Sequence, residues 1–159
     1  MAITAKVEGM DEISEMLTAL EENAQGAAAA GLYDGAGVMA DAINKSVDEI
    51  QRAPFHYAAL ISRLPSPEEV EAIRGAVGIA KFDKNGAEVQ TSIGFANAGY
   101  ADVAGKRKPI ALIANSINSG TSFMQKQPFF RKGVSKGSKR AEAAIIKTIE
   151  QRLDEKNLK

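Results

Sequence analysis

Side chains able to do acid–base, metal or nucleophilic chemistry are few in this chain, and their spacing suits none of the three. His56 is the single histidine, set between Phe55 and Tyr57 with no carboxylate three or four residues on. A metal site needs several ligands, and a triad needs a nucleophile and an orienting acid around its imidazole. His56 therefore reads as a structural or surface residue. Glu68, Glu69 and Glu71 could be imagined as metal ligands, yet they follow Ser66-Pro67 and fall in what should be the first turn of a helix, where the dipole favours acids. The glycines of Gly31-Leu32-Tyr33-Asp34-Gly35-Ala36-Gly37 lack the Lys-Ser/Thr ending and the preceding strand of a phosphate loop. Cysteine is absent, which excludes disulfides and thiolate sites and fits a cytoplasmic product. The expectation is a non-enzyme: no catalytic residue, no metal, no cofactor.

The segment from Gly120 to Arg131 offers contact rather than chemistry. Gly120, Thr121 and Ser122 make turn material, Pro128 fixes the backbone, and Met124, Phe129, Phe130 and Arg131 belong to types enriched in interface cores. The plain alternative is a loop whose phenylalanines fill the domain's own core. Of the two rings, Phe129 is expected inward, clamping the C-terminal helix. Phe130 is expected to point the other way and to form a partner surface with Met124 and Arg131.

The elements around this segment follow from periodicity. Residues 2–8 alternate as a short strand. Asp11–Leu20 carries Ile13, Met16, Leu17 and Leu20 as a helical stripe. Gln25–Ile50 reads as a second, Ala-rich helix, with a kink or a tight backbone approach at Gly31, Gly35 and Gly37. Pro54 and Pro65-Ser66-Pro67 break the chain, and Ser66 caps a short helix ending near Arg74-Gly75. Ala76–Phe82 and Ala87–Phe95 should pair as a hairpin through Asn85-Gly86. Residues 97–109 form a loop with the basic run Lys106, Arg107 and Lys108. Ile110–Ala114 is a short strand or helical turn, and Ser138–Leu153 is the last helix. These elements describe one α+β domain over 1–159: strand and two helices to residue 50, an irregular stretch with a short helix at 51–75, hairpin and loop at 76–118, then the motif and final helix at 119–159. Two to three helices, including the long Ala-rich and the C-terminal one, should cover one face of a small, mostly antiparallel sheet.

The motif, in this order before a final amphipathic helix, resembles the tail-completion family of long-tailed double-stranded DNA phages. Members act in head–tail joining and are functionally akin to the lambda minor tail protein Z. The matching residues are Gly120, Thr121, Ser122, Met124, Gln127, Pro128, Phe129 and Arg131. The middle departs from the family pattern: where a Pro-x-x-Thr-Gly-x-Leu stretch is usual, this chain reads Ala53-Pro54-Phe55-His56-Tyr57-Ala58-Ala59-Leu60. The resemblance implies a virion structural protein, assembled in the host cytoplasm, that forms a ring of identical copies (a hexamer is one option) at the neck or the head-proximal end of a tail. Neighbouring neck and tail proteins are its implied partners, with non-specific contact to channel DNA as an option.

Charge supplies an independent hint and a rival. Residues 1–75 hold 13 acidic and 5 basic residues, a net of −8; residues 76–159 hold 7 and 15, a net of +8. Either the halves interleave in the fold, or acidic and basic faces meet between neighbouring subunits. Lys106, Arg107 and Lys108 with Arg131, Lys132, Lys136, Lys139 and Arg140 could instead neutralise phosphates, which makes a nucleic-acid-binding accessory protein the rival class. A pI near 6.6 and the lack of a DNA-binding motif weigh against it. No apolar run approaches the roughly 18 residues of a membrane span, and the first residues lack a signal peptide's pattern, so no membrane role is expected.

Overall fold

Good helix formers between Met10 and Asp48, many of them alanine, carry the chain through one continuous helix, α1 (Met10–Asp48). Its 39 residues span roughly 58 Å. The computed structural model describes residues 10–55, 58–59, 62–85, 88–95 and 98–157. The break expected between Leu20 and Gln25 does not occur: Glu21, Glu22 and Ala24 favour helix and outweigh Asn23, the one weak former there. The expected strand at residues 2–8 lies outside the described residues.

Ser66 caps α2 (Pro67–Ile73) as its sequence indicates. Its hydroxyl accepts from Glu69 N while the Glu69 carboxylate accepts from Ser66 N, at 3.2 and 3.1 Å, a complete capping box. Two hairpins follow. In the first, β1 (Gly78–Ile79) pairs with β4 (Ile93–Gly94), and β2 (Asp83–Asn85) pairs with β3 (Glu88–Gln90), both antiparallel. The registers differ by one residue: Lys81 and Phe82 lie opposite Thr91 alone. That two-against-one count is a bulge, braced where Thr91 Oγ1 donates to Ala80 O at 2.8 Å. Asn85 pairs with Glu88 at the end of the ladder, and Gly86 of the expected Asn85-Gly86 turn lies outside the described residues.

The second hairpin corrects an expectation. Residues 97–109 are not simply a loop: β5 (Tyr100–Val103) pairs with β6 (Lys106–Pro109) across Ala104-Gly105, both at positive φ, +52° and +71°. That is the backbone of a two-residue hairpin turn, and a Lys-Arg-Lys strand carries no apolar alternation to announce it. Ile110–Ala114 extends no sheet; it opens a helix, α3 (Ile110–Ser119), whose Ile110, Ile113, Ala114 and Ile117 are buried.

The last helix, α4 (Phe129–Asn157), begins well before the expected Ser138. It lies antiparallel on α1 through glycines of both helices. A Cβ on Gly133 would sit 2.5 Å from Ile43 Cα, and one on Gly137 would sit 2.7 Å from Ala42 Cβ. Gly31 and Gly35 receive Ile149 and Ile145 in turn. The tight approach expected at Gly31 and Gly35 is therefore real, and Gly133 and Gly137 are its other half. Gly37 meets nothing within 4 Å.

The fold is α+β: among the described residues, four helices and short antiparallel strand pairs, packed beside the long helix. Its core gathers at one end of the α1–α4 pair. Ile43, Val47, Val70, Ile73, Phe95, Val103, Ile117 and Phe129 meet there. Among the described side chains, burial toward the other end stops at Ala27 on α1 and Ala141 on α4. Continuing the register set by the glycines, α4 ends level with Leu20–Glu21, so the first ten residues of α1 project beyond it as a tip.

Candidate functional site

Gly120 closes α3 with φ +77°, a conformation that needs glycine, and a Cβ there would sit 3.0 Å from backbone and side-chain atoms of Lys126. Thr121 and Met124 then exchange two backbone hydrogen bonds, Thr121 N to Met124 O at 2.9 Å and Met124 N to Thr121 O at 3.3 Å. Thr121 Oγ1 accepts from Phe123 N and Met124 N, at 3.2 and 3.0 Å. The turn is thus fixed internally, and it holds Phe123 in solvent at 85% exposure.

Gln127 fastens this turn to the end of α1. Its Oε1 accepts from Gln51 N at 2.8 Å, and its Nε2 donates to Gln51 O at 2.7 Å. Pro128 leads into α4, where Phe129 is 2% exposed and meets Phe95 edge-on, with centroids 6.0 Å apart. Phe129 is inward as expected. Phe130 corrects its expectation: it is half-buried, packs on Phe95 at 6.4 Å, and takes a cap from Asn118 Oδ1 on its own N–H at 3.2 Å. Adjacent helical residues diverge by only about 100°, so both rings reach one broad core. Met124 also packs partly on the core, while Arg131 and Ser122 are exposed.

The turn forms one wall of a cleft of about 740 Å³, a size that accepts a ligand or a partner's side chains. Arg63, Glu69, Lys106 and Lys108 supply its charged lining, and Val103 and Phe123 are among its apolar lining. Arg63, at φ +58°, donates from Nη2 to Ser122 O at 3.0 Å. Its own carbonyl accepts from Gln125 N at 2.7 Å. Lys108 Nζ lies 3.4 Å from Glu69 Oε1. Arg63 and Lys106 have no carboxylate partner among the described residues. The cleft is therefore half apolar, with a positive edge.

The other expected basic residues are dispersed. Arg107 stacks over the Tyr100 ring at 5.0 Å. Lys136 Nζ lies 2.8 Å from Glu49 Oε2, and this hydrogen bond, with the lysine's charge, holds the Glu49 carboxyl below its ordinary value. Lys132, Lys139 and Arg140 are exposed along α4. Acidic and basic halves do interleave where α1 meets α4, as Lys136–Glu49 shows. α1 itself is one-signed over this stretch: Glu15, Glu21 and Glu22 are exposed, and it has no basic residue before Lys45.

Sequence reasoning missed Arg63, Phe123 and the cleft itself. Among the described residues no cluster of three His, Asp or Glu could hold a metal ion, and no helix is long and apolar enough to cross a membrane. His56 lies outside the described residues. Compared with known protein families, curated proteins and solved structures, the chain matches none.

Proposed function

We infer that this protein is a non-enzymatic virion subunit of a long-tailed phage, acting in tail completion or head–tail connection as a ring of identical copies. The observation that carries the reading is the 120–131 segment. The residues that resemble the phage tail-completion motif are the ones that build a hydrogen-bonded turn, anchor it to α1 through Gln127 and hold Phe123 in solvent. A rigid turn that exposes an aromatic ring beside a half-apolar cleft is a contact device. The bare α1 tip, with Met16 68% and Leu20 62% exposed, is a second uncovered surface, and ring closure requires two different complementary surfaces.

The rival, a nucleic-acid-binding accessory protein, draws on the exposed cations of α4 but loses Lys108, Arg107 and Lys136 to partners within the fold. Negative-stain microscopy of the purified protein tests the reading: annular particles of one size support it. Particles that form only on added DNA, with binding that falls steeply as salt rises, would favour the rival.

A further inference from the structure

We propose that subunits join tip to cleft: the first turns of α1 of one copy dock into the cleft between the 121–124 turn and the β5–β6 hairpin of the next. This deepens the ring reading and rests on it. The occupant follows from complementarity. The cleft presents Arg63 and Lys106, neither paired with a carboxylate among the described residues, beside the apolar ring of Phe123. The tip presents the reverse: Met16 and Leu20, one helical turn apart, form an exposed apolar stripe. Glu15 and Glu21, both exposed, lie on its two sides, each about 100° around the helix from its neighbour in the stripe. Apolar meets apolar in the middle, and carboxylates meet cations at the rim.

Geometry requires the partner to be another copy. The 35 residues of helix and helix end between Met16 and Gln51 span roughly 50 Å, and Gln127 ties the cleft's turn to Gln51. No chain can bring its own tip to its own cleft. Two unlike surfaces at opposite ends of an elongated subunit make a head-to-tail contact, which closes into a ring when the rotation per step allows.

The absence of cysteine makes the test clean. Ala19→Cys places a thiol beside the tip stripe and Ser122→Cys one on the cleft wall, both at exposed positions and without removing a docking side chain. A disulfide needs Cα atoms within about 7 Å, so the two can bond only between copies. Under mild oxidation the double variant should give a ladder of covalent multimers, and neither single variant should. Adding Lys106→Glu should cut ladder yield by about tenfold, and adding Glu15→Lys to that protein should restore it. Melting curves confirm that each variant is folded, and Lys106→Gln, expected to give an intermediate yield, replaces Lys106→Glu should the latter unfold. If the parent is oligomeric but the double variant gives no ladder, or Lys106→Glu leaves the yield unchanged, tip-to-cleft docking is overturned while the ring reading stands. A parent that is monomeric at every concentration overturns both.

Discussion

Gly133 is where the packing of α1 on α4 is most exposed to test. Replacing glycine by alanine inside a helix normally gains about 0.8–1 kcal/mol. At Gly133 the new methyl would lie 2.5 Å from Ile43 Cα and 3.0 Å from Ile43 N and Cγ1. Two of those three atoms are backbone, so no rotamer change relieves the clash and the helices must move apart. Overpacking of this kind costs about 1–3 kcal/mol, and the backbone contact places Gly133 at the upper end. Subtracting the propensity gain leaves a net loss of about 1–2 kcal/mol. Gly37 supplies the control: it lies in the same helix pair with nothing within 4 Å, so Gly37→Ala should keep the full gain. In a chain of this length the two variants should move the melting temperature in opposite directions, by about 2–4 °C per kcal/mol. Urea unfolding of parent and both variants reads the difference directly. A Gly133→Ala protein as stable as Gly37→Ala would refute the close approach of the helices.

Phe129→Ala should cost about 3–5 kcal/mol, because a 2%-exposed ring leaves a cavity against Phe95; a variant that melts like the parent contradicts its core position. Gln127→Ala removes both bonds to the Gln51 backbone and should cost about 1–2 kcal/mol, with faster hydrogen exchange at Gln51 N–H as the local readout. The Glu49 carboxyl is held below its ordinary value of 4.5 by Lys136. A depressed folded value means its contribution is present above the ordinary value and disappears as pH falls through the lowered one. The parent should thus lose more stability than Glu49→Gln on acidification below about pH 4.5, and equal slopes would remove the pair's role.

Local signals carried much of the fold. The Ser66/Glu69 capping box, the alternation around the first hairpin and the helical propensity of the Ala-rich stretch each depend on neighbours in sequence, and each was legible. What was hidden depends on distant partners. No neighbour in sequence explains Gly133 and Gly137; Ile43 and Ala42, some ninety residues earlier, take the space a side chain would fill. Phe130 resembles an outward residue until Phe95 joins Phe129 in the core. The second hairpin hides because Lys106, Arg107 and Lys108 lack alternation, and its turn uses Ala104 at positive φ, which alanine seldom adopts. The candidate site was half legible. Residues 120–131 stood out by type, whereas the cleft needed Arg63, on a loop with its own positive φ, and Lys106 to be brought beside Phe123. The projecting start of α1 was hidden for a similar reason: Met16 looks like core until α4 proves to end short of it.

Self-assembly through two unlike surfaces can be read by native mass spectrometry of the purified protein over a hundredfold dilution. It should give one discrete closed oligomer, a single multiple of the 16.9 kDa chain, that dissociates to monomer without stable dimers as salt rises and the rim charges are screened over about 8–10 Å. A monomer at every concentration, or an open-ended series of species with no preferred size, would contradict it.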